Sequence, residues 1–395
     1  MKTIRVLGLS LITAALLAAC GGGDDPYVPG TTPTAGAPTT KGNFTALVSF
    51  GDSLSDIGAY APATSLTGNG QAPYFGGKFT TNGSGTAGTV WVENLAAKMG
   101  LLVTPAEVGF GTQSVKCPAA AANLGNTCTG YGQGGARITD PNGIGHAGGA
   151  LTVPVVKQIE NHLARFGSFK DSDLILVYIG SNDVFTQFGG FTAKATQIQT
   201  QAAQGQISAD EAKRQLFLAQ TDAQNGMKKA AGELAGYVRN QILAKGGKYV
   251  AVMTLSDIAD TPFGKSLPAS VQPVLTDLSA IFNLWLRESL SNAPVQIIDT
   301  YPILKDSYQN PGKYGFVNNT VPACDGAKIS AITGGRVTDG SSLFCNGTPG
   351  VPFNGLRAGA SIDTWAFADG VHPTTGGHRA LSDAFHAQLK AFGWL

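Results

Sequence analysis

Short, almost wholly apolar runs recur along this chain, and amphipathic helical patterns separate them. The runs lie at residues 45–50, 173–180, 248–255 and 295–299. The helical patterns lie at residues 90–99, 153–166, 209–244, 271–290 and 376–392. Apolar runs of this length are typical of buried strands, and strands that alternate with helices form a parallel sheet covered on both faces. The pattern therefore predicts an α/β protein: a three-layer α/β/α sandwich with a central parallel sheet.

Composition sets limits on what such a protein binds. Of the 395 residues, 43% are apolar and 13% are charged, which suits one large folded domain. The formal net charge is +1, so the chain offers no long-range field that would gather phosphate backbones, and we expect no nucleic-acid partner. The 53 glycines predict many tightly turned loops, above all in the weakly patterned segment 305–363.

The N-terminus has the layout of a secretory signal. Lys2 and Arg5 precede an apolar run over residues 6–19 that is too short to favour a membrane span. The run ends in Leu17-Ala18-Ala19-Cys20, which resembles the lipobox of bacterial lipoproteins. We therefore predict a signal peptide over residues 1–20, with Cys20 acylated after cleavage. The alternative is ordinary cleavage nearby that discards Cys20.

A stretch rich in Gly, Pro, Thr and Asp follows, over residues 21–43. Such a composition buries too little apolar surface to fold, so we predict a flexible tether, followed by one folded domain over residues 44–395. The protein is then expected to be exported and lipid-anchored to the cell envelope, or secreted. Gly21, rather than Asp, follows Cys20, which favours the outer membrane.

The cysteines agree with export. Leaving out Cys20, four of the five remain: Cys117, Cys128, Cys324 and Cys345. In an exported protein they predict two disulfides, and proximity favours Cys117 with Cys128 and Cys324 with Cys345, although three pairings are open. Neither cluster contains a Cys-x-x-Cys, so we expect no zinc site.

Polar residues with catalytic potential follow the predicted strands. Asp52-Ser53 follows the first strand and Ser181-Asn182 the second, so both are expected at the same edge of the sheet. Ser53 is a nucleophile only if a base takes its proton, and His372 has a carboxylate, Asp369, three residues upstream. The Gly-x-Ser-x-Gly elbow of α/β-hydrolases is absent from the sequence.

Four short blocks, taken in order, resemble those of the SGNH (GDSL) hydrolases. The resemblance spans roughly residues 45–392 and implies a flavodoxin-like α/β/α fold. The blocks are Phe50-Gly51-Asp52-Ser53-Leu54-Ser55-Asp56, Gly132-Gln133-Gly134-Gly135-Ala136, Gly180-Ser181-Asn182-Asp183 and Asp369-Gly370-Val371-His372-Pro373.

The resemblance implies a catalytic triad of Ser53, His372 and Asp369. It also implies an oxyanion hole made by the backbone N–H groups of Ser53 and Gly135 and the side-chain amide of Asn182. Gly134 is the alternative to Gly135. Such chemistry needs neither a metal nor an organic cofactor.

Other residues near the blocks have structural interpretations. Asp56 is expected to brace the turn of the first block, and Asp183 to do the same for the third. A role in an acyl-binding pocket and a role in the core are equally open for the aromatic residues Trp91, Phe185, Phe188 and Phe191. The remaining histidines, which have no motif context, are expected to pack or lie at the surface; they are His146, His162, His378 and His386.

The function implied is hydrolysis of carboxylic esters, either small acyl esters or lipids, by an esterase or lipase of bacterial secreted type. Two alternatives stay open. A polysaccharide O-acetyl esterase would use the same residues and differ only in its pocket. A ligand-binding surface lipoprotein would keep the fold without activity, although the presence of Ser53, Asn182, Asp369 and His372 argues against it.

Overall fold

The computed structural model describes residues 36–64, 76–348 and 354–395. The predicted signal peptide, Cys20 and the tether up to residue 35 lie outside the described residues. The end of the predicted tether contacts the domain: Gly42 N–H donates to the Trp394 carbonyl at 2.9 Å, and the Trp394 indole N–H donates to the Pro38 carbonyl at 2.7 Å. The packed part of the chain therefore begins before residue 44.

A four-stranded parallel sheet forms the centre of the molecule. In the part of the chain that the structure describes, the strands are β1 (Ala46–Gly51), β2 (Glu107–Phe110), β3 (Gln113–Lys116), β4 (Asp173–Tyr178), β5 (Tyr249–Met253) and β6 (Gln296–Ile298). The central sheet has the order β1-β4-β5-β6, while β2 and β3 form a separate antiparallel hairpin. Each central strand overlaps one of the four predicted runs, which confirms the predicted α/β class and parallel sheet.

Helices flank this sheet. They are α1 (Ala61–Thr64), α2 (Trp91–Lys98), α3 (Val155–Phe166), α4 (Ser181–Ala203), α5 (Ala209–Tyr237), α6 (Pro262–Ser266), α7 (Gln272–Leu290), α8 (Thr300–Gln309), α9 (Gly326–Ile332) and α10 (Thr375–Ala391). Helix α2 packs against α10, and α5 packs against α4 and α7. The β4 strand is buried along its whole length, as expected for a strand covered on both faces.

Two parts of the chain differ from expectation. Helix α4 directly follows β4, where the sequence shows no helical pattern. The pattern is weak because few positions of this helix are apolar and buried. The segment 305–363, expected to be irregular, contains the end of α8 and all of α9. Both short helices are capped by backbone or side-chain contacts rather than marked by a long apolar stripe.

Both disulfides form as sequence proximity favours. Cys117 pairs with Cys128, and Cys324 pairs with Cys345. Disulfides persist in oxidising compartments, so they indicate an exported protein. Among the described residues, none of the helices combines the length and the apolar character that crossing a bilayer requires.

Candidate active site

The candidate nucleophile lies where β1 ends. Gly51 pairs with Tyr178, the last residue of β4, and Ser53 starts a single 3₁₀ turn, Ser53–Ser55. Asp52 caps this turn, because its Oδ1 accepts the Leu54 N–H at 3.1 Å. The turn brings the Ser53 hydroxyl to the edge of the sheet. Most of the Ser53 surface is nevertheless covered, since the residue is 9% exposed.

The C-terminal block brings a histidine and a carboxylate to this serine. His372 Nε2 lies 2.8 Å from Ser53 Oγ, and His372 Nδ1 lies 2.8 Å from Asp369 Oδ2. The Thr374 side chain then accepts the Gly377 N–H and begins α10, which ends the loop that carries His372. Residues 319 positions apart in the sequence therefore form one hydrogen-bonded chain.

The structure favours the charged forms of both His372 and Asp369. Burial is the largest single effect and opposes the charged form of His372, but the charge and hydrogen bond of Asp369, together with the charges of Asp52 and Asp339, outweigh it and raise the pKa of His372. Burial would likewise raise the pKa of Asp369, but His372 and the hydrogen bonds from Ser342 and Val371 lower it. Asp369 is thus an anion that favours a protonated His372.

Asp52 adds a buried carboxyl beside the nucleophile. Burial raises its pKa to about 7, although the Leu54 N–H and the charge of His372 act in the opposite direction. Its Oδ2 is buried without a hydrogen-bond partner among the residues that the structure describes. Asp52 therefore takes up a proton near neutral pH much more readily than an exposed aspartate does.

The second block supplies a glycine with a constrained backbone. Gly135 has a φ of +77°, and a Cβ there would lie 1.9 Å from the Ile144 carbonyl oxygen. Gly134 N–H donates to Asp56 Oδ2 at 2.9 Å. The carboxylate of Asp56 also accepts the N–H groups of Gly58 and Ala59, so it joins the first block to the second, as expected of a bracing residue.

Asn182 lies at the start of α4, 6% exposed. Its Nδ2 donates one hydrogen bond, of 2.9 Å, to the carbonyl of Ala136, the residue that follows Gly135. The amide of Asn182 and the backbone of Gly135 are thus held side by side. An amide nitrogen carries two protons, so the second remains available to a ligand.

Ionic and amide contacts hold these blocks together. Asp183 accepts hydrogen bonds of 3.1 Å from Arg137 Nε and from the Ile138 N–H, so it braces the third block against the second, as expected. Gln158, on α3, bonds both the N–H and the carbonyl of Gly51. The sequence gives no sign of this role for Gln158, because a glutamine on an amphipathic helix has no motif.

The ring of Phe79 packs against the ring of His372 and connects it to a second histidine, His378. The Phe79 ring centroid lies 4.8 Å from that of His372, and the carbonyl of Phe79 contacts His378 Nε2 at 3.3 Å. His378 is fully buried and also accepts the Trp91 N–H, which fits the packing role expected of it.

The aromatic residues considered for an acyl pocket separate into two groups. Trp91 and Phe188 are buried in the main core. Phe185 contacts Phe263 edge to face, and the Phe263 N–H donates to the carbonyl of Gly370 in the histidine loop. Phe191 is partly buried against the core and lines a groove between α4 and α5. Of the four, Phe185 has the most direct connection to the histidine loop.

An apolar cavity adjoins the two catalytic blocks. It measures about 60 Å³. Leu54, which follows Ser53, and Val371, which precedes His372, line this cavity. The rest of its lining includes Tyr178, Ile303, Tyr308 and Ala380. In the described ranges, no cluster of His, Cys, Asp and Glu side chains is arranged to hold a metal ion.

Known proteins resemble this chain in sequence. The family model described as GDSL-like Lipase/Acylhydrolase matches residues 47–385. Esterase EstA of Pseudomonas aeruginosa is 30% identical over 150 residues, which cover 36% of this chain and 20% of that esterase. Esterase EstA of Pseudomonas putida gives the same identity and coverage. The chain therefore matches about a fifth of the length of these curated relatives.

A solved structure also aligns with this one. It is an extracellular lipase from Streptomyces rimosus, 13% identical, and the alignment covers 87% of this chain and 99% of the lipase with a TM-score of 0.36.

Proposed function

The chain belongs to the GDSL-like lipase/acylhydrolase family, and from this membership and the site geometry we propose that it is a serine esterase that hydrolyses carboxylic esters. Ser53 would be the nucleophile, His372 the general base and Asp369 the residue that orients His372. The observation that carries the proposal is the pair of 2.8 Å contacts that joins the three side chains.

The reaction would proceed through an acyl-enzyme. His372 Nε2 takes the proton of Ser53 Oγ as this oxygen attacks the ester carbonyl carbon. Collapse of the tetrahedral intermediate breaks the bond to the alcohol, which receives the proton from His372. Water, deprotonated by His372, then attacks the acyl-enzyme; the second tetrahedral intermediate collapses, His372 returns the proton to Ser53 Oγ, and the acid is released.

The oxyanion formed at each step needs fixed donors. We assign these to the backbone N–H groups of Ser53 and Gly135 and to Asn182 Nδ2. Gly135 is preferred over Gly134, because the Gly134 N–H already donates to Asp56. Replacing Asn182 by Ala is expected to lower kcat about 100- to 1,000-fold.

The acyl group is assigned to the cavity lined by Leu54 and Val371. Its lining is largely apolar, and Leu54 and Val371 lie next to Ser53 and His372 in the chain, so it suits the hydrocarbon part of an acyl group. The O-acetyl esterase of polysaccharides stays the second candidate, since an acetyl group would occupy the same cavity.

We further propose that acylated Cys20 anchors the enzyme to the bacterial outer membrane. Support comes from the signal pattern that ends at Cys20 and from the two disulfides, which indicate export. Incorporation of labelled palmitate by wild type, and its loss in Cys20→Ser, would test the anchor. Equal labelling of both proteins would contradict it.

The central test is hydrolysis of p-nitrophenyl acetate, butyrate and palmitate by the full-length protein and by Ser53→Ala. The variant is expected to lose at least about 10⁴-fold in kcat. Ser55→Ala is the matched control, since its buried hydroxyl, in the same turn, has no hydrogen-bond partner in the described part of the chain. Unchanged turnover by Ser53→Ala would exclude Ser53 as nucleophile, whereas absence of turnover in both proteins would favour the ligand-binding lipoprotein.

A further inference from the structure

The Asp369 carboxylate is held by groups from two separate parts of the chain. Its Oδ1 accepts the N–H groups of Val371 and His372, which belong to its own loop, and also lies 2.9 Å from His372 Nδ1. Its Oδ2, which contacts His372 Nδ1, also accepts the Ser342 N–H at 2.7 Å. Ser342 is fully buried and lies 27 residues earlier in the sequence. One oxygen therefore depends on a distant backbone group for its position.

The Cys324–Cys345 disulfide connects the two sides of this contact. On one side, Cys345 N–H donates to the Ser342 carbonyl at 2.9 Å and closes the 3₁₀ turn Ser342–Phe344. On the other, Cys324 N–H donates at 2.8 Å to the carbonyl of Ala368, the residue before Asp369. Cys324, Cys345 and Ala368 are buried in one small cluster. The disulfide thus holds the Ser342 turn against the backbone that carries Asp369.

We propose that the Ser342 N–H, held in place by the Cys324–Cys345 disulfide, positions the Asp369 carboxylate for catalysis, so that full activity requires this disulfide. The inference rests on the proposed function, since it assigns Asp369 the task of orienting His372. Ser342 acts through Asp369 and does not touch the reacting atoms. A carboxylate that loses a donor can rotate away from the imidazole it orients.

A disulfide also stabilises a fold by restricting the unfolded chain, so the test needs a readout that stability alone does not change. The pH dependence of kcat/KM supplies it. Asp369, Asp52 and Asp339 each raise the pKa of His372 against the effect of burial. Asp339 precedes Ser342 in the same loop, and its Oδ1 accepts the Ser341 N–H. A displaced loop therefore weakens the effects of both Asp339 and Asp369, and each change lowers the pKa of His372.

Ser342→Pro removes the N–H and places the proline Cδ where that N–H pointed at Asp369 Oδ2, so it displaces this oxygen as well as removing its donor. Ser342 is the first residue of its turn, and Ser341 has φ −45° and ψ 127°, a conformation that a residue before proline adopts without strain. The reference is Ser342→Ala, which keeps the N–H. We expect kcat about ten-fold lower in the proline variant than in this reference, KM within about two-fold, and the acid limb of kcat/KM displaced to lower pH.

The second comparison removes one disulfide at a time by replacing both of its cysteines. Cys324→Ala with Cys345→Ala is expected to show the same loss in kcat and the same displaced acid limb. Cys117→Ala with Cys128→Ala is the matched control, because that disulfide bonds no residue of the Asp369 loop; we expect it to lower the thermal unfolding temperature and leave the pH profile in place. Should the first pair fail to fold, the proline variant decides.

An acid limb that stays in place in folded Ser342→Pro would overturn the inference, as would equal pH profiles for the two cysteine pairs. Failure of the proposed function looks different: Ser53→Ala would then hydrolyse the ester as fast as wild type.

Discussion

Gly134 donates its backbone N–H to the buried Asp56 carboxylate at 2.9 Å, so this carboxylate selects which of two adjacent glycines presents a free N–H to a substrate. The Gly135 N–H has no hydrogen-bond partner within the described part of the chain. Asp56 thereby links the turn after β1 to the candidate oxyanion hole.

The first prediction concerns Asp56→Ala. The substitution leaves three buried N–H groups, those of Gly58, Ala59 and Gly134, without their acceptor, so we expect a loss of about 3 kcal/mol in the free energy of unfolding and a lower kcat. Urea unfolding and ester hydrolysis measure the two effects. Asp171→Ala is the control, since the ion pair of Asp171 with Lys248 is exposed. Equal unfolding curves for the two variants would contradict the assignment.

The second prediction concerns stability and pH. Burial raises the pKa of Asp56 to about 7, so at pH 4 to 7 the folded protein holds a proton that the unfolded chain has released. This contribution is complete below pH 4 and is lost as the pH rises through 7. Burial raises the pKa of Asp52 to about 7 as well, so its contribution to stability is also lost as the pH rises. Wild type should therefore lose stability from pH 5 to 8, and Asp56→Asn should lose less. A wild type whose unfolding temperature rises over that range would refute this.

The third prediction concerns activity and pH. A general base works in its neutral form, and Asp369 raises the pKa of His372, so the acid limb of kcat/KM should lie above pH 6.5, the ordinary value for histidine. Asp369→Asn should lower kcat by about 10⁴-fold. Initial rates between pH 5 and 9 provide the profile. A limb well below pH 6 would mean that Asp369 does not act on His372 as described.

The fourth prediction concerns Gly135→Ala. A Cβ at this position, with φ at +77°, meets the Ile144 carbonyl, so the backbone must move and carry the candidate oxyanion donor with it. We expect kcat to fall at least about 100-fold. Gly148→Ala is the matched control in the same region, because a Cβ there meets no atom within 4 Å. Comparable kcat values for the two variants would argue against Gly135.

The fifth prediction concerns the acyl cavity. Ala380→Leu adds volume to a side chain that lines the cavity, so kcat/KM for p-nitrophenyl butyrate should fall more than that for the acetate. Ala391→Leu, at the exposed end of the same helix, is the control. A uniform change for both esters would place the acyl group elsewhere.

Sequence patterns predicted the central sheet, and they singled out candidate site residues that the structure brings together. Strands such as β4 are buried on both faces and therefore read as continuous apolar runs, and Ser53, Asn182 and His372 each lie in a short block with distinctive chemistry. Helix α4 was missed because its sequence, with Gly189-Gly190 and many Thr and Gln residues, lacks a continuous apolar stripe.

Backbone groups were beyond reach of these patterns. The Ser342 N–H on Asp369 carries no side-chain signature, and nothing local links it to a residue 27 positions away. The choice between Gly134 and Gly135 likewise depends on which N–H the Asp56 carboxylate takes, and that is decided only when the two blocks meet in the fold.

The contacts of Pro38 and Lys41 have a consequence for how the enzyme would face its surroundings. These residues lie against Trp394 and against Tyr249, the first residue of β5, at the amino ends of the strands, whereas Ser53 and Asn182 follow the carboxyl ends. A chain held at Cys20 would therefore be attached at the amino-end edge of the sheet. The mouth of the active site lies at the opposite edge, so the attachment itself would leave it uncovered.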